Sequence, residues 1–86
     1  MPELCRFYGI IIRLYFDDHA PPHFHASYGG DEAVVAIDTL AVIHGNLPSR
    51  AQSLVREWAL LHQVELQEAW KKAKQLRPPG KIDPLP

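Results

Sequence analysis

The sequence predicts a small α+β domain, in which a four-stranded, mostly antiparallel meander sheet is followed by two C-terminal helices packed on one face. Two observations predict this class. Up to about residue 44 the chain is rich in β-branched and aromatic residues that alternate with a period of two, and from Ser49 the apolar residues recur at helical spacing. We expect one domain over residues 1–76 and a proline-rich, extended tail over 77–86.

The strands follow from alternation and turn residues. Residues 6–16, RFYGIIIRLYF, are interpreted as one strand. Gly29-Gly30 supplies the backbone freedom of a tight hairpin and predicts pairing of residues 23–28 with 32–38. A short fourth strand is predicted at about residues 40–44. The core face of the first strand would carry Tyr8, Ile10, Ile12, Leu14 and Phe16.

The helical pattern runs from Ser49 to Leu76, and Trp58 and Trp70 lie at core-facing positions in it. One unbroken helix of this length would extend about 42 Å, which is long for so small a domain. We therefore expect two helices with a break near His62-Gln63.

Composition excludes several classes of protein. The lone Cys5 excludes an intramolecular disulfide and a cysteine-rich zinc knuckle. The start of the sequence shows no signal peptide and no apolar run is long enough to cross a membrane, so we expect a cytoplasmic protein. The net charge of −1 is unevenly spread, and five basic residues lie in the last sixteen positions. A solvated helix face is the preferred interpretation of them, and contact with nucleic acid stays open.

The most informative stretch is DDHAPPHFHASY, residues 17–28. His23 and His25 stand two apart on a predicted strand and point the same way, so their imidazoles can converge on one divalent ion such as zinc. Pro21-Pro22 presets the direction in which the chain enters His23. Asp17, Asp18 and His19, at the other end of the turn, could supply a further ligand.

Two other interpretations of this stretch remain. Histidine and proline are common in surface turns, so the segment could be an inert turn. A metal-free site could instead use histidines as general acid and base, with Arg13 steadying a phosphate. The candidate metal ligands are Asp18, His19, His23 and His25, and the candidate catalytic residues are Arg13, His19, His23 and His25.

The chain resembles a bacterial family of small proteins known as domain of unknown function 4160. The resemblance lies in RFYGIIIR and DHAPPHFH, followed by a G-x-L-P link and the helix pattern EWA…H…EL…W. It implies a partnership with a small protein encoded nearby, in an arrangement like that of toxin–antitoxin modules.

From these observations we expect an interaction component of a toxin–antitoxin-like pair, and a homodimer is also open. The alternative is a small hydrolase or ribonuclease-like enzyme, metal-dependent or not, centred on His19, His23 and His25.

Overall fold

The sheet is an antiparallel meander whose strands follow one another in chain order. The structure is a computed structural model that describes residues 3–16 and 18–86, and within these it has five strands and two helices. This architecture confirms the predicted α+β class. The elements are β1 (Glu3–Phe7), β2 (Ile10–Arg13), β3 (His23–Tyr28), β4 (Asp31–Ala36), β5 (Val42–Gly45), α1 (Ser49–Leu61) and α2 (Gln63–Lys74).

The predicted first strand is two strands, so the prediction of four strands was one too few. β1 and β2 form a hairpin that turns at Tyr8 and Gly9, both of which have positive φ, 50° and 82°. Side chains rarely adopt this left-handed backbone, so Tyr8 gives no sign of a turn in the sequence. Tyr8 is 60% exposed, whereas Ile10, Ile12 and Leu14 are buried as predicted.

The hairpin of β3 and β4 has the predicted tight turn at Gly29-Gly30. Tyr28 pairs with Asp31, and the register continues to His23 opposite Ala36. Phe24 and Ala26 therefore face the core with no exposed surface, while His23 and His25 point to the other face of the sheet.

The two helices meet at His62, as the sequence predicted. The backbone of His62 leaves helical geometry with φ −120° and ψ 25°. Its N–H donates to the carbonyls of Trp58 and Ala59, which closes α1. The break keeps the longest dimension of the molecule to 33 Å. In the described part of the chain, neither helix has the length and apolar character that spanning a membrane requires.

Trp58 of α1 is the centre of the core. It has no exposed surface, and its ring lies 5.6 Å from that of Phe7 and 5.8 Å from that of Phe24. Its indole Nε1 donates a hydrogen bond to the carbonyl of Asp83 at 2.8 Å. One helix thereby contacts the sheet and the end of the chain at the same residue.

The last residues lie along β1. The backbone N–H of Ile82 donates to the carbonyl of Leu4, and the hydroxyl of Tyr8 donates to the carbonyl of Pro86. Ile82 and Leu85 are buried and belong to the core. This segment covers the edge of β1, which would otherwise present unpaired backbone groups to solvent.

We expect Ile82→Ala to lower the free energy of unfolding by about 2–5 kcal/mol, because it empties a site in the core. The matched control is Leu76→Ala, since Leu76 is 71% exposed, and it should change stability by less than about 0.5 kcal/mol. Urea unfolding followed by circular dichroism measures both. Equal effects of the two substitutions would mean that the last residues are not packed on the body.

Candidate metal centre

Asp18, His23 and His25 converge on one point at the start of β3. A single carboxylate oxygen, Oδ2 of Asp18, lies 3.1 Å from Nε2 of His23 and 3.0 Å from Nε2 of His25. The possible ligand atoms of the three residues all lie within 4.8 Å of one another. Their side chains are mostly buried, with exposed fractions of 23%, 11% and 17% in the same order. The pair of histidines predicted to converge therefore does so, together with Asp18.

The second nitrogen of each imidazole also faces an acceptor. Nδ1 of His23 lies 2.7 Å from the carbonyl oxygen of Pro21, and Nδ1 of His25 lies 3.3 Å from Oε2 of Glu32. A carbonyl can only accept, so Nδ1 of His23 carries a proton and donates it. In neutral His23 the Nε2 lone pair then points at the Asp18 carboxylate.

Two neutral imidazoles have two N–H protons, and the hydrogen bonds from Nδ1 of His23 to Pro21 and from Nε2 of His25 to Asp18 use both. The contact of Nε2 of His23 with the Asp18 carboxylate, at 3.1 Å, is then left with an acceptor on each side and no proton. A cation at the centre would resolve this contact, because both Nε2 atoms and the carboxylate could then act as ligands. Additional protons on the imidazoles are the other way to resolve it.

The spacing suits a zinc-like ion. Ligands placed about 2.0 Å from a tetrahedral ion stand roughly 3.3 Å apart. The carboxylate oxygen is within a few tenths of an ångström of that separation from each Nε2 atom. Two histidines and one carboxylate also leave a fourth position free, which is the arrangement of catalytic rather than structural zinc sites. The Nδ1 atoms, which are the ring nitrogens not directed at Asp18, lie close to Pro21 and Glu32. Acceptors of this kind usually orient metal-bound histidines.

The cluster does not lie on an open face of the sheet, because side chains of α2 and of the segment after β2 pack against it. The ring of His23 lies 5.2 Å from that of Trp70 in α2, and the ring of Tyr15 meets His25 edge-on at 4.4 Å. Lys74, one turn beyond Trp70, donates from Nζ to the backbone carbonyl of Asp18 at 3.0 Å. Helix α2 therefore contacts both the backbone of Asp18, in the loop before β3, and the ring of His23.

The other predicted residues lie around the cluster or away from it. His19 is exposed and is not one of the three converging residues. Arg13 is paired with His25 across β2 and β3, and its Nη1 approaches the hydroxyl of Ser27 at 3.5 Å. Asp17 lies outside the described residues. His44 is exposed on β5, and His62 contacts Glu65 at the helix junction.

Cys5 supplies no chemistry to this site. Burial raises the pKa of its thiol to about 12, so the reactive thiolate is scarce at neutral pH. Cys5 belongs to the apolar core.

Sequence reasoning missed two members of the site. Glu32 could have been found from the tight hairpin, because that register places it opposite Ser27 and on the same face as His25. The contact of Trp70 with His23 depends on how α2 packs, and the apolar spacing of the helix gives no sign of it.

The comparisons with known proteins bear on the family alone. No curated protein and no solved structure matches the chain. A family model described as a domain of unknown function, DUF4160, matches residues 9–71 and so includes Asp18, His23, His25, Glu32 and Trp70. Since this match covers most of the sequence, the chain belongs to the DUF4160 family.

Proposed function

We propose that the protein is a small metal-dependent hydrolase whose centre is formed by Asp18, His23 and His25. The observation that supports this proposal is the convergence of three possible ligand atoms on one point, where Nε2 of His23 and the Asp18 carboxylate lie 3.1 Å apart although neither has a proton to donate. A divalent ion of the zinc type is the group that fits nitrogen and carboxylate ligands at this spacing.

The reaction class follows from three ligands with one free position. Asp18, His23 and His25 would hold such an ion, which would supply a water-derived nucleophile at neutral pH. In hydrolysis of a phosphoester, the water oxygen bonds to phosphorus and the ester P–O bond breaks. A water proton ends on the departing oxygen. Arg13, beside His25 on the neighbouring strand, is a permanent cation suited to an anionic substrate.

The Asp18→Asn substitution distinguishes two interpretations of the cluster, a metal site and a group of protonated histidines paired with a carboxylate. The amide offers two N–H donors where the carboxylate offers none. At pH 8 the metal-free variant should be more stable than metal-free wild type by about 1 kcal/mol, because the amide can donate to Nε2 of His23. Zinc at 100 times its Kd should stabilise wild type by about 2.7 kcal/mol and the variant far less. Urea unfolding with and without zinc measures both quantities.

The contrary result is a metal-free variant that is clearly less stable than metal-free wild type. It would mean that the Asp18 carboxylate accepts protons from charged imidazoles. The centre would then be an ion pair that needs no metal.

Hydrolysis is tested with zinc-loaded protein on a nitrophenyl phosphodiester and on single-stranded RNA. We expect His25→Ala to lose bound zinc, measured by elemental analysis, and to lower the rate at least about 100-fold, because a ligand is removed. His44→Ala is the matched control, since His44 is an exposed histidine outside the cluster, and it should keep both metal and rate. Equal rates for the two variants would exclude the cluster as the centre.

A second candidate function is the interaction component of a toxin–antitoxin-like pair. The edge strand β5 favours it. Among residues 3–16 and 18–86, β5 pairs only with β4 and ends the sheet, and its Ile43 is 45% exposed. An uncovered strand edge can add a strand from another chain. The partner we propose is the small protein encoded nearby.

Co-purification with the product of the neighbouring gene tests this candidate. We expect a stable complex with wild type and its loss in Ile43→Lys, because a charge would be placed on the edge strand. Leu76→Lys, at another exposed leucine, should leave the complex intact. A protein that stays monomeric and unaccompanied would refute the partnership, and a homodimer would replace the partner by a second copy.

A further inference from the structure

Residues 81–86, KIDPLP, form a strap that contacts the body through donors aimed at its backbone carbonyls. The indole Nε1 of Trp58 donates to the carbonyl of Asp83 at 2.8 Å, and the hydroxyl of Tyr8 donates to the carbonyl of Pro86 at 2.6 Å. The strap itself is neither helix nor strand. It lies in a groove formed by β1 and these two aromatic side chains.

The buried residues of this region recur at every third position. Pro79, Ile82 and Leu85 are buried, whereas the residues between them are exposed. A polyproline II helix has three residues per turn and no internal hydrogen bonds, so it turns every third side chain to the same face. Grooves lined by aromatic side chains bind proline-containing segments of this kind from other chains. The strap therefore has the features of a docking segment that occupies the groove of its own chain.

The hinge between α2 and the strap, residues 75–80, contains an unfavourable backbone conformation. The N–H groups of Leu76 and Arg77 donate back to carbonyls in the last turn of α2, and Leu76 has φ 58°. Glycine is the usual residue at this position of a helix end, because a Cβ is disfavoured in left-handed backbone. Leu76 is 71% exposed, so packing of its side chain does little to offset the cost.

A strained hinge favours exchange of the segment that follows it, because only the closed conformation needs the unfavourable backbone. Pro78 and Pro79 keep the far part of the hinge extended, which would direct an open strap away from its own groove. A second copy of the chain offers an identical strap, so the same hydrogen bonds and buried contacts form between two chains. Exchange therefore keeps the contacts of the strap and releases the positive φ of Leu76 in both chains.

We propose that two copies of the chain exchange their straps, so that each groove holds residues 81–86 of the other copy. The hinge begins after Lys74, so the contacts of α2 with Asp18 and His23 stay within one chain. The exchange is therefore independent of whether the cluster binds a metal.

Sedimentation of the full chain over a wide range of protein concentrations tests the exchange. We expect a dimer at high concentration. Leu76→Gly should raise the dissociation constant of this dimer about 25-fold, because glycine closes the hinge without strain and each chain contributes a factor of about 5. Leu76→Ala is the matched control, since it shortens the side chain but keeps the Cβ, and it should change the dissociation constant by less than about twofold.

Cross-linking identifies the chain whose strap occupies each groove. Nζ of Lys81 donates to the backbone carbonyl of Glu3 at 2.9 Å, so the two residues lie within one side-chain length. In the double variant Glu3→Cys/Lys81→Cys, a short bismaleimide would join a strap to the groove that holds it, while the buried native Cys5 is protected. On a denaturing gel we expect linked pairs of chains from the dimer fraction and single chains from the monomer fraction.

Three results would overturn the exchange. The first is a chain that stays monomeric at every concentration. The second is a dimer whose cross-links stay within one chain, which is the result expected if two copies pair through the edge of β5. The third is a dimer that Leu76→Gly and Leu76→Ala weaken equally, because the backbone conformation of Leu76 would then play no part in its formation.

Discussion

The register of the β3–β4 hairpin is the constraint on which both the core and the candidate site depend. A two-residue turn at Gly29-Gly30 fixes the pairing, and the alternation of β3 then sends Phe24 inward and His25 outward. A slip by one residue would exchange the two faces and bury an imidazole where a phenyl ring now meets Trp58. Burial of Phe24 in the core therefore also fixes the positions of His23 and His25, the two candidate ligands on the same strand.

The sequence could predict those parts of the molecule that depend on local spacing. The hairpin and the convergence of His23 with His25 follow from turn residues and from period-two alternation, whereas the break at His62 follows from the length of the helical run compared with the size of the domain. The turn at Tyr8 could not be predicted, because its left-handed backbone is adopted by a residue that normally favours strands. The turn at Tyr8 and Gly9 divides the predicted first strand into β1 and β2, which is why the sheet has five strands and not four.

The surroundings of the site depend on contacts between distant parts of the chain. Trp70 follows an apolar spacing that any buried helix face would show, and only the tertiary packing of α2 brings its ring to His23. The contact of Lys74 with the Asp18 carbonyl spans 56 positions. Contacts between residues so far apart in the sequence leave no local pattern. The candidate ligands could therefore be proposed from the sequence, whereas their contacts with Trp70 and Lys74 could not.

The loop that contains Asp18 is held by α2, a helix that the ribosome synthesises later than the loop. The ligands lie between residues 18 and 25, but the ring and the ammonium group that hold them are at residues 70 and 74. A nascent chain would expose its histidines to the cell's metal pool long before the helix that orders them leaves the ribosome. If the ordered loop sets the affinity of the proposed metal site, a short or cleaved product without α2 would hold an ion weakly, and occupancy of the site would distinguish chains that contain α2 from chains that lack it.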